Sequence, residues 1–140
     1  MKRYLLLAIC FLALAALAAY FLSGSEPELD PQIIDASPIQ TITATEGRDL
    51  MYDSAVYVLL DVRTEEEFRA LHIPGATLLS DTELLGRIEE EIPDRDTRII
   101  LYCQTGRRSA RAATLLAELG YVHVYDMGGI VDWPYETVSG

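Results

Sequence analysis

One hundred and forty residues, half of them hydrophobic, allow one compact domain with an appendage rather than two domains. A formal charge of −11 excludes bulk electrostatic binding to nucleic acid or anionic lipid, so an anionic ligand would need a local gathering of positive charge. Cys10, Cys103, His72 and His123 are too few and too scattered for a structural metal site, and no metal or cofactor is expected.

Lys2 and Arg3 open the chain and are followed by an unbroken apolar run from Tyr4 to Leu22. A basic pair ahead of such a run reads as a signal peptide or signal-anchor helix over residues 1–22. The run exceeds the ~7–15 residues of a usual signal core and approaches the ~20 that span hydrocarbon, which favours an anchor. Ala16-Leu17-Ala18 is the alternative, a cleavage site within the run. The basic end stays cytoplasmic, so the rest is expected outside the cytoplasm, periplasmic or on the outer membrane face, touching membrane only through this segment. Without Lys2 and Arg3 the exported part carries −13. Residues 23–38 are acidic, contain Pro27, Pro31 and Pro38, and read as an extended linker. The domain is expected over residues 39–140.

Strand-like and helix-like stretches then alternate. Ile39–Thr43 is a short β-branched run, and Val56–Val62 is a continuous apolar strand of the kind buried on both faces of a parallel sheet. Thr64 caps a helix over Glu65–Leu71, with Glu67 placed for a capping box. Ile73-Pro74-Gly75 breaks it, Ala76–Leu79 is a strand, and Leu84–Ile92 is a helix ended by Pro93. Arg98–Tyr102 is the clearest strand. In the helix Ser109–Leu119, Ala112, Leu115, Leu116 and Leu119 form one stripe, closed by Gly120. Val122–Tyr125 is the last strand, and Gly128-Gly129 leads into a terminal turn. This alternation predicts an α/β fold with a mainly parallel central sheet covered by helices.

Ligands of such sheets bind at the carboxyl ends of the strands, where Cys103 opens the loop Cys103-Gln104-Thr105-Gly106-Arg107-Arg108-Ser109. Gly106 lets the loop curl its N–H groups inward as an anion nest. The following helix adds its positive end, and Arg107, Arg108 and Arg111 add full charge. These effects together predict a Cys103 thiolate, a nucleophile rather than an inert core thiol. Loop length separates two chemistries. Cysteine phosphatases and one class of arsenate reductases place Arg at the sixth position after Cys; here Arg108 is fifth and Ser109 sixth. The tighter loop suits a sulfur atom better than a phosphoryl group, and Tyr102 stands where those phosphatases carry His.

Asp61-Val62-Arg63, Glu66-Glu67-Phe68 and His72-Ile73-Pro74-Gly75-Ala76 resemble the first signature of the rhodanese family of sulfurtransferases. Cys103–Arg108 resembles its six-residue active-site loop, and Gly128-Gly129-Ile130-Val131-Asp132-Trp133 its closing signature. The resemblance covers residues 39–140 and is nearest to the short, phage-shock-type periplasmic members. Pro134–Val138 departs from the family's usual Gly-x-Pro. The resemblance implies a rhodanese-like single domain that carries sulfur as a persulfide on Cys103. Thiosulfate or a similar donor would supply it, and a thiol, cyanide or a protein would accept it. It implies Gln104, Thr105, Gly106, Arg107 and Arg108 as substrate-binding residues, with Asp61, Arg63 and Ser109 supporting them. A non-catalytic rhodanese-like carrier or binding module is the alternative; a phosphatase or arsenate reductase is the third.

Overall fold

The computed structural model describes residues 37–53 and 56–140, and its compact domain begins at Ser37. The expected export segment and all of the expected linker before Ser37 lie outside the described residues.

Five strands form one sheet in the order β1-β5-β4-β2-β3, every neighbouring pair parallel: β1 is Ile39–Thr41, β2 Val58–Asp61, β3 Thr77–Leu78, β4 Ile99–Cys103 and β5 Val124–Gly129. Helices α1 (Ala44–Asp53), α2 (Glu65–Ala70), α3 (Leu84–Glu91) and α4 (Arg107–Glu118) connect them, and a short 3-10 turn spans Ile130–Asp132. Parallel neighbours require crossovers, and the helices are those crossovers.

Side-chain alternation along the strands builds two cores. Leu60, Ile99, Leu101 and Val124 point to one face and pack with Leu84 and Ile88 of α3 and Ala112, Ala113 and Leu116 of α4. Leu59, Ile100, Tyr102 and Tyr125 point to the other, against Leu50 and Met51 of α1 and the segments around Ile73 and Ile130. The central strand β4 is buried at every residue.

Thr64 caps α2 with the reciprocal bonds expected from Glu67. Several boundaries differ. Helix α1 was not expected. Its capping signal, Thr43 and Glu46 bonded to one another's N–H groups, is present in the sequence, but Gly47 weakens the helical pattern. A Cβ at Gly47 would sit 2.3 Å from the Met127 sulfur, so glycine here lets α1 approach β5. The strand β2 begins later than Val56, which is 75% exposed. The last strand starts at Val124 and continues through Gly129, so the two glycines end a strand instead of making the turn. Helix α4 starts at Arg107, two residues ahead of Ser109, because Gly106 is its cap at φ 93°.

Candidate active site

Cys103 is the last residue of β4, buried with only 1% of its surface exposed, at the carboxyl edge of the sheet. The chain reverses over Gln104-Thr105-Gly106. The left-handed backbone at Gly106 is inaccessible to most side chains, and it turns the Gly106 N–H onto Cys103 Sγ at 3.1 Å. Burial pushes the thiol up, but N–H groups of Ser109, Thr105 and Gly106 and the Ser109 hydroxyl pull it down further. The net result lies below the ordinary thiol range. Buried charge is tolerable when several donors replace the lost water, and here they are backbone dipoles fixed in advance.

The loop is held from three sides. Below it, Cys103 pairs with Gly129 across a register shift. A Cβ on Gly129 would stand 2.7 Å from the Gln104 carbonyl oxygen and 2.8 Å from Thr105 Cα, so β5 offers a flat backbone seat. The Ser109 hydroxyl stands 3.0 Å from the Gly106 carbonyl and 3.3 Å from that of Gly128, tying the helix start to the same seat.

From the side comes Arg63, which is 1% exposed. Its Nε and Nη2 donate to Asp61, Nη2 also to the Leu71 carbonyl at 2.7 Å, and Nη1 to the Gln104 side-chain oxygen at 3.1 Å. Asp61 is fully buried beneath it and also accepts the Arg63 N–H. Asp61 and Arg63 thus brace the loop as a buried ion pair whose polar atoms are satisfied.

The third hold is Arg108. Its Nη1 and Nη2 donate to Glu67 at 2.8 and 2.6 Å, a bidentate pair joining α4 to α2 across 41 residues. The Arg108 guanidinium, with help from Thr64, lowers the Glu67 carboxyl to about 2 against the burial that opposes it. Arg111 reaches Asp81 at 3.2 Å. Arg107, the first residue of α4, is exposed.

All nine expected residues therefore meet at one sheet edge, with changed emphasis. The thiol is lowered chiefly by amides and a hydroxyl, while two of the three arginines are engaged by carboxylates. Sequence reasoning missed Glu67 as the partner of Arg108 and Gly129 as the loop's seat. Both stood inside quoted signatures, but only their spacing in three dimensions reveals the roles. His72 stacks on Phe68 with ring centroids 3.7 Å apart, and its N–H and carbonyl pair with Val138. Among the described residues no group of three or more His, Cys, Asp or Glu side chains is placed to hold a metal ion.

Among the described residues the one cysteine, Cys103, ends a central parallel strand with N–H groups of the following loop turned onto its sulfur, and this arrangement belongs to an α/β protein with a parallel sheet covered by helices. Residues 43–135 match the rhodanese-like domain, and the chain belongs to that family. It is 36% identical over 81 residues to the thiosulfate sulfurtransferase PspE of Escherichia coli, covering 58% of this chain and 78% of that protein. It is 35% identical over 97 residues to the thiosulfate sulfurtransferase GlpE of Haemophilus influenzae, covering 69% and 89% of the two. Among solved structures, a rhodanese with anions from E. coli superimposes with a TM-score of 0.57 at 34% identity, covering 60% of this chain and 99% of that one.

Proposed function

We propose that this chain is a sulfurtransferase that moves sulfane sulfur through a persulfide on Cys103. The observation that carries the reading is the ring of donors around Sγ: the Gly106 N–H at 3.1 Å, with Thr105 and Ser109 beside it, lowers the thiol. A thiol whose ionised form is favoured is what attack on sulfur requires. With thiosulfate, the Cys103 thiolate attacks the outer sulfur, the S–S bond breaks, and sulfite leaves with the bonding pair. The product is a persulfide anion, so one thiolate and one dianion become one perthiolate and one dianion. The N–H groups that held the thiolate then face the terminal sulfur, as an oxyanion hole faces its oxygen. An acceptor thiolate, cyanide or a protein thiol removes that sulfur and restores Cys103.

Arg107, exposed on the first turn of α4, meets the donor; Gln104, Thr105 and Gly106 line its path; Arg108, Arg63, Asp61 and Ser109 hold the loop. The names of the relatives support thiosulfate as a donor. The basic pair and apolar run before Leu22 support a domain working outside the cytoplasm, signal-borne or anchored.

Intact mass after incubation with thiosulfate tests the reading. The chain gains one sulfur, Cys103→Ser gains none, and sulfite accumulates over many turnovers once a thiol is supplied. A chain that takes up sulfur once and never passes it on is a carrier, and the enzymatic reading fails.

A further inference from the structure

On one side the sheet ends at β1, and among the described residues nothing pairs with its outer edge. The Pro38 carbonyl and the Ile42 N–H bond to β5, so the alternation of a parallel ladder turns the backbone groups of Ile39 and Thr41 the other way. The Ile39 N–H donates to Ser37 Oγ at 3.2 Å. The Ile39 carbonyl and the N–H and carbonyl of Thr41 have no backbone partner among the described residues. Three groups in a row thus offer an incoming strand the bonds of a ladder.

A groove of about 350 Å³ lies between this strand and α1. Gln40 and Ile42 line it from β1, and Ile42, Leu50 and Tyr125 give it an apolar floor. Its far wall is acidic. Glu46, Asp49 and Asp53 stand at spacings of three and four residues, which places them on one face of α1. Glu46 accepts from Thr43 at the helix start, and Asp49 meets Arg48 in an exposed pair at 3.3 Å. Such a pair neutralises little, and no cation among the described residues pairs with Glu46 or Asp53.

We propose that the β1 edge docks an extended basic segment of a partner protein, which joins the sheet as a further strand. The ladder supplies the backbone bonds. Alternate side chains of the added strand fall on the groove side, where the floor takes apolar stems and the wall takes charged ends. Lysine and arginine carry both parts. A second copy of this chain fits poorly, because pairing edge to edge brings two acidic walls together in chains of net charge −11 each. The docking is independent of sulfur transfer: β1 lies two strands from β4, about 10 Å across the sheet, and uses no residue of the Cys103 loop.

Two hexapeptides of alternating residues are the probes, lysine–valine and glutamate–valine. The full chain is titrated with each by calorimetry, and backbone amide exchange is followed by NMR. The lysine peptide binds and the glutamate peptide does not. At roughly nine-tenths occupancy the Thr41 N–H exchanges about tenfold more slowly. Thr41→Pro removes that outward N–H, leaves the bonds to β5 in place, and weakens binding about tenfold. Asp49→Asn combined with Asp53→Asn weakens it roughly three- to tenfold. Unchanged Thr41 exchange in the bound chain, or equal binding of the two peptides, overturns the proposal. Full-strength binding by Thr41→Pro marks a contact of charge alone and also overturns it. Should Thr41→Pro not fold, Thr41 exchange in the unmodified chain decides. Dimers that form with rising concentration and disappear in Thr41→Pro assign the edge to a second copy, and the proposal fails.

Discussion

Replacing Gly129 by alanine isolates what the seat beneath the loop does for the sulfur. Gly129 has an ordinary extended backbone, φ −106° and ψ 140°, so alanine brings no conformational strain, only a methyl group. That methyl meets the Gln104 carbonyl oxygen at 2.7 Å, Thr105 Cα at 2.8 Å and Thr105 carbonyl carbon at 3.0 Å. All three are backbone atoms and cannot rotate away. Restoring ordinary contact from 2.7 Å to 3.4 Å displaces the loop by about 0.7 Å. Overpacking of this sort costs about 1–3 kcal/mol, and three simultaneous contacts argue for the upper end. The displacement also pulls amide donors from Cys103 Sγ, and a hydrogen bond to a charged group is worth roughly 1.5–3 kcal/mol, or about one to two pKa units. Cys103 lies below the ordinary thiol range, so the thiolate is present above its midpoint and lost as pH falls through it. In Gly129→Ala that midpoint rises by about one to two units, and sulfur uptake below it falls in proportion. The rate of Cys103 alkylation against pH measures the shift, and thermal melting measures the strain. An unchanged alkylation profile with an unchanged melting point refutes the steric argument.

Gly86 in α3 provides the contrast: nothing lies within 4 Å of an added Cβ, so Gly86→Ala stabilises the domain by about 0.5–1 kcal/mol in urea unfolding, without touching activity. Arg63→Met strands the fully buried Asp61 without its cation and costs about 3–5 kcal/mol, read as a lower urea midpoint. Glu67, lowered from 4.5 to about 2 by Arg108, stabilises the fold fully above about pH 4.5 and progressively less towards pH 2. Over that window the stability difference between the unmodified chain and Glu67→Gln narrows, as urea unfolding at successive pH values reports; a constant difference would contradict the ion pair.

What the sequence disclosed was whatever is local. The run Ile99–Cys103 followed by a glycine-containing loop and an amphipathic helix reads directly as strand, turn and helix, because each step has its own short-range cause. Thr64 and Glu67 likewise announce the start of α2. The arginines misled in emphasis, since adjacency along the chain suggested pooled charge while Glu67 and Asp81 neutralise two of them from other elements. Gly129 carried no local cue at all: its need for hydrogen in place of a side chain arises only where β5 lies beneath the loop. Helix α1 was hidden by its own packing, because Gly47, which weakens the helical pattern, is required by the nearness of Met127. The long-range partner sets the residue in each case, and one chain read alone does not display its partners.

Residues 138–140 are woven into this arrangement. Val138 exchanges both backbone hydrogen bonds with His72, and the Gly140 N–H reaches the Arg69 carbonyl. The neighbouring Leu71 carbonyl holds Arg63, which in turn holds Gln104. A fusion partner or purification handle joined after Gly140 therefore tugs on a chain of contacts that ends beside the reactive sulfur.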